Sequence, residues 1–141
     1  EDPPSPTTDT AAFSTCCFAA ARQSGARVTR SPSPPYAGVA SFVQAIIEMA
    51  GGEVALLLNL THPWVTCAAP LSELDMMPRF VDAPKLLEAF RSFGAYVVLT
   101  SAQAESPLTE EMTRGLAPEE LEEIRHWRPR RLGDAVYNFW D

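Results

Sequence analysis

The sequence predicts an α/β (or α+β) fold, a single-domain sandwich in which a sheet of three to five strands carries about four helices. Three observations predict it. Short apolar runs alternate with stretches of helical periodicity. Glycines and prolines punctuate the boundaries between them. Of 141 residues, 46% are hydrophobic and 21% charged, the balance of a chain that buries a core rather than one that stays disordered. A chain of this length fits one domain and buries roughly two-thirds of its unfolded surface without a disulfide or metal staple. The expected organisation is a flexible Pro/Ser/Thr-rich tail over residues 1–10, then one globular domain over 11–141.

The elements follow in order. Phe13, Cys16, Cys17, Ala20 and Ala21 recur at helical spacing, so a helix is expected over 11–24, capped by Thr10 and closed by Gly25. Residues 29–36, with three prolines, read as an irregular connector. Val39, Phe42, Val43, Ile46 and Ile47 fall at i, i+3, i+4, i+7 and i+8, which predicts a helix over 37–50 stopped by Gly51-Gly52. The unbroken run Val54–Leu58 predicts a strand over 53–60 buried on both faces. The Thr61-His62-Pro63 turn returns the chain through Trp64–Cys67 as the second strand of a hairpin. Residues 68–83 read as irregular, with Phe80-Val81 a short edge strand. Pro84 opens a helix over 84–93 that Gly94 ends. Strands over 95–100 and 135–140 and a helix over 117–127 complete the list, the strand–helix–strand order around 84–93 suggesting a crossover.

The net charge of −7 supplies no global footprint for nucleic acid, and the longest apolar run is far too short to span a bilayer. No nucleic-acid or membrane partner is therefore expected. Three cysteines are an awkward number for a disulfide framework, and the neighbours Cys16 and Cys17 cannot pair without strain. Reduced, buried thiols in a cytoplasmic protein are the expectation. The alternative, a bridge from Cys67 to the first helix, requires an oxidising compartment. Asn59-Leu60-Thr61 matches the glycosylation pattern but closes an apolar run and is discounted.

No phosphate-loop, dinucleotide-binding, nucleophile-elbow or paired Cys-x-x-Cys motif is present. No cofactor or metal is expected, although His62 and Cys67 with Cys16 or Cys17 supply zinc-type donors. His62 and Cys67 are the weak catalytic candidates, a base and a thiol that a hairpin could bring together. Thr61 and Trp64 flank the same turn and are candidate binding residues. Seven glutamates in the nineteen residues from Glu105 to Glu123 form a local negative patch, in which Glu119, Glu120, Glu122 and Glu123 are the candidate contacts for a basic protein partner. The basic run Arg125, Arg128, Arg130 and Arg131 reads as counterions to these acids. Tyr137 and Trp140, in an aromatic C-terminal tract, serve either as core residues of the last strand or as interface anchors.

Two functions fit these residues. One is a non-catalytic acidic protein-binding module of the toxin-immunity or inhibitor kind. The other is a small enzyme or ligand-binding domain with a site around His62, Trp64 and Cys67. The absence of a catalytic signature favours the first. Oligomeric state is left open.

Overall fold

The computed structural model describes residues 9–35, 40–72, 77–114 and 116–138. Helix α1 (Thr10–Gln23) leads into a four-strand antiparallel meander, β1 (Arg27–Ser33), β2 (Phe42–Met49), β3 (Gly52–Asn59) and β4 (Trp64–Ala68). Helix α2 (Pro84–Phe93) crosses over to β5 (Val97–Val98), which lies parallel to β4 and completes the sheet order β1-β2-β3-β4-β5. Three helices follow: α3 (Ser101–Glu105), α4 (Pro118–Trp127) and α5 (Leu132–Val136), with one 3-10 turn at Glu111–Thr113. The result is the expected single-domain sandwich, with five strands in a mixed sheet and five helices among the described residues.

Strands β2, β3 and β4 are buried on both faces because they are apolar at odd and even positions alike. Val43, Ala45 and Ile47 of β2, Leu56 and Leu58 of β3 and Val65 and Cys67 of β4 form one face. They pack against Phe13, Cys17, Ala20 and Ala21 of α1 and Leu86, Leu87 and Phe90 of α2. Small residues on α1 let it lie close to the sheet. The Phe13 and Phe90 rings meet at 5.6 Å and Phe90 and Tyr96 at 5.2 Å, both tilted or edge-on as aromatic quadrupoles favour. Phe42, Ile46, Ala55, Leu57 and Ala68 form the other face, covered by Leu71, Phe80, Leu99, Ala104, Val136 and Tyr137. Two polar side chains are buried among them with their bonds met. Gln44 pairs with both backbone groups of Leu71 (2.9 and 3.1 Å), and Thr66 donates to Leu99 O at 2.7 Å.

The hairpin of β3 and β4 and the helices at 84–93 and 117–127 stand as expected, as does α1, which is capped by Asp9 rather than Thr10. Residues 1–8 of the expected tail lie outside the described residues.

Four expectations are corrected. The helix over 37–50 is strand β2, residues 37–39 lying outside the described residues. The spacing of Val39, Phe42, Val43, Ile46 and Ile47 suits a helix, but Gln44 and Ala45, which that helix would turn outward, are buried at 1% and 0% exposure. A short run buried on both sides satisfies either period, and the β-branched residues and the pairing with β3 decide for the strand. Gly51 and Gly52 serve a hairpin turn, Gly52 at φ +127°. The connector at 29–36 is in part edge strand β1, where Pro32 is tolerated because edge strands and irregular pairing do not need its missing N–H. The strand over 95–100 shortens to Val97–Val98, at a sheet edge with Val97 half exposed. The final strand over 135–140 is helix α5 followed by an extended Tyr137, with residues 139–141 outside the described set. Tyr137 N still donates to Gly133 O at 2.8 Å. Val136 and Tyr137 are both buried because the chain leaves the helix between them, so they do not alternate between faces.

Among the described residues no helix is long and apolar enough to cross a membrane.

Candidate functional site

Asn59 ends β3, and its side chain organises the turn that follows. Its Oδ1 accepts from the N–H groups of Thr61 and His62, both at 2.8 Å, while its Nδ2 donates to Val136 O at 2.7 Å. This is the local fold expected of an Asx turn, with one bond reaching a distant element. The asparagine of the discounted glycosylation pattern is thus buried and occupied. Trp64 N returns a bond to His62 O (2.8 Å), and the Trp64 indole stacks on the His62 imidazole, centroids 5.1 Å apart and planes at 24°.

The second wall comes from 58 residues further along the chain. Ser106–Leu108 and Arg130–Leu132 are zipped together: Leu108 N donates to Arg130 O and Leu132 N to Ser106 O, both at 2.9 Å. The intervening 109–129 therefore forms a flap that leaves and rejoins the body at one place, with α4 as its main element and no residue of α4 fully buried. Glu120 sits on the first turn of α4. Its Oε1 accepts from Ala117 N at 3.0 Å, capping the helix, and its Oε2 accepts from His62 Nε2 at 2.8 Å. With the carboxylate as acceptor, Nε2 is the donor of this bond.

Flap and sheet end enclose a cleft of about 260 Å³. Trp64, Met112, Leu116, Ile124, Leu132 and Val136 give it apolar walls; His62, Glu120, Glu123, Asn59 and Thr61 are the polar groups that converge on it. The floor is held by a polar knot. Ser41 Oγ donates to Val136 O (2.8 Å) and accepts from Asn138 N (2.9 Å). Asn138 donates to Asp134 O and Ala135 O and closes α5. The Ser41 hydroxyl is thus a structural group rather than a nucleophile poised beside His62.

Of the sequence candidates, Thr61, His62, Trp64, Glu120 and Glu123 meet at this cleft. Cys67 does not. It alternates with Trp64 and Thr66 along β4 and points into the opposite core, with no exposure and a thiol pushed up to about 12 by burial. The pairing of His62 with Cys67 as base and nucleophile is therefore corrected: the partner of His62 is Glu120. All three cysteines are free, and no metal-holding group of His, Cys, Asp or Glu occurs among the described residues. Cys16 accepts a bond from Tyr96 OH at 3.7 Å.

The remaining candidates divide. Glu119 and Glu122 face solvent, while Glu123 accepts from Trp127 Nε1 at 2.9 Å. Tyr137 is fully buried and donates its hydroxyl to Trp64 O at 3.0 Å, so it supports the site and is not an interface anchor. Trp140 lies outside the described residues. Arg131, expected to balance the preceding glutamates, instead grips Asp134 through two bonds of 3.0 and 2.6 Å and lies 5.0 Å over the Phe80 ring.

Sequence reasoning missed Met112, Leu116 and Ile124 as cleft walls and Glu120 as a partner to histidine. The spacing of Glu120, Glu123 and Ile124, which helical periodicity places on one side of α4, is the signal that could have found some of them. No family model matches the chain, and no match was found among curated proteins or solved structures.

Proposed function

We propose that this domain binds a small organic ligand in the cleft beneath the 109–129 flap, with the His62–Glu120 pair holding its polar end. The observation that carries the reading is the 2.8 Å contact of His62 with Glu120 at the mouth of an apolar concavity. Largely apolar walls with a few convergent polar groups are the usual make-up of a small-molecule site. His62 is fixed by Asn59 through its backbone, by Trp64 through stacking and by Glu120 through its ring, so its geometry is set before any ligand arrives. The chemistry such a pair can supply is hydrogen bonding to a ligand or acceptance of a proton at Nδ1.

The test is an amide-resolved NMR titration with neutral aromatic fragments (phenol, indole, 2-phenylethanol). Saturable shifts confined to His62, Trp64 and the flap are expected. Ile124→Glu, which puts a charge in the apolar wall, is expected to abolish them while near-ultraviolet circular dichroism stays unchanged. Absence of saturable shifts with every fragment, or shifts that survive Ile124→Glu, would overturn the reading.

A second proposal keeps the expected basic protein partner. The exposed Trp127 on the same helix as the exposed Glu119 and Glu122 favours it, since an accessible indole and solvent-facing carboxylates on one element suit a cationic surface. Capture of a partner by the intact chain, lost in Trp127→Ala, would support it.

A further inference from the structure

Apart from His62, the ionisable side chains that line the cleft among the described residues are carboxylates. Glu120 and Glu123 stand one turn apart on α4, and among the described residues no lysine or arginine lines the space. His62 meets Glu120 through one ring N–H. Both carboxylates keep acceptor capacity. Glu120 uses one bond on each oxygen, and among the described residues Glu123 uses Oε2 alone, for Trp127. A carboxylate offers about four lone-pair sites, so each has room for another donor. Trp64 and the aliphatic side chains of Leu116, Leu132 and Val136 line the same space. The cleft is thus anionic along the α4 rim and apolar within.

We propose that the ligand is a primary amine carried on an apolar body, bound as its ammonium ion. This rests on the cleft being a ligand site. The ammonium has three donors and no acceptor, which matches a rim that consists of acceptors. An anionic ligand would meet Glu123 and the His62-paired Glu120 in a partly desolvated space, where carboxylates disfavour it. An apolar body the size of a phenyl ring fits a volume of about 260 Å³ and removes both its own surface and that of Trp64 from water. The charge pattern therefore sets the ligand's sign, and the apolar interior sets the rest of its chemistry.

Three near-isosteric probes test this by NMR titration at one ionic strength and neutral pH: 2-phenylethylamine, 2-phenylethanol and phenylacetate. The expected order is amine, then alcohol, then carboxylate, with amine over alcohol by about tenfold, equivalent to about 1.4 kcal/mol. Glu123→Gln and Glu120→Gln are each expected to lower the amine-to-alcohol ratio. If the alcohol matches the amine, or phenylacetate binds as tightly, with shifts at Trp64 and Ile124, the charge assignment is overturned and the cleft as a ligand site stands. If none of the three shifts those residues, both fall together. A ratio unchanged in both glutamine variants would also overturn the assignment, since the preference would then arise elsewhere.

Discussion

Gly133 occupies a position where even a methyl group has no room. A Cβ there would overlap the Phe80 ring and come within 2.9 Å of the Ala104 carbonyl oxygen. The ring is itself held by Arg131 above it. Gly133→Ala is therefore expected to destabilise the domain by about 1–3 kcal/mol, the ordinary cost of overpacking, measured by urea unfolding. The Cys67 thiol supplies a second prediction. Burial raises it from the ordinary 9.0 to about 12, so the unfolded chain loses this proton first as pH rises. Stability is then full below pH 9 and declines progressively between pH 9 and 12. Cys67→Val is expected to make that decline shallower in thermal melts taken across the range. At this scale the sequence made His62 and Trp64 visible as a dense group of reactive and aromatic types around a proline. It could not reveal that Glu120 completes the pair, because the contact spans 58 residues and depends on where the flap lands.

The flap and strand β2 show how elements escape a reading by periodicity. In β2 the buried Gln44 imitates a neighbouring strand: its amide pairs with Leu71 N–H and C=O as a backbone would. Gln44→Leu keeps an apolar strand but strands both Leu71 groups, at roughly 1–3 kcal/mol each. The expected result is a lower unfolding midpoint and faster hydrogen exchange at Leu71. The flap is joined to the sheet mainly through side chains at the cleft, with the partly exposed His62–Glu120 pair worth no more than about 1 kcal/mol. Its amides are expected to exchange faster than those of β2 and β3, and to slow when the cleft is filled. Uniform protection across flap and sheet would show that 109–129 is an integral part of the core. The boundaries of α2 and α4 were legible because proline and glycine act locally. The identity of β2 was not, since burial on both sides is a property of its neighbours.

For the whole molecule, the C-terminal segment closes one face of the sheet. Val136 and Tyr137 lie in that core, and Val136 O receives the side chains of both Ser41 and Asn59. Deleting residues 135–141 removes a buried aromatic, worth about 3–5 kcal/mol, and leaves these polar groups without their acceptor. Set against a net stability of about 5–15 kcal/mol, the loss is expected to abolish the cooperative thermal transition. The sequence by itself determined the class of fold, the hairpin, three of the helices and the grouping of Thr61, His62 and Trp64, because each follows from local periodicity and turn chemistry. It also offered burial of the C-terminal segment as one of two readings, since that stretch is apolar in either conformation. Only the tertiary structure decided that this segment is helical, that 42–49 is a strand, that Cys67 faces away from His62 and that Glu120 faces toward it. Those outcomes depend on which surfaces of distant segments come together, and hydrophobic burial is indifferent to the order in which the chain supplies them.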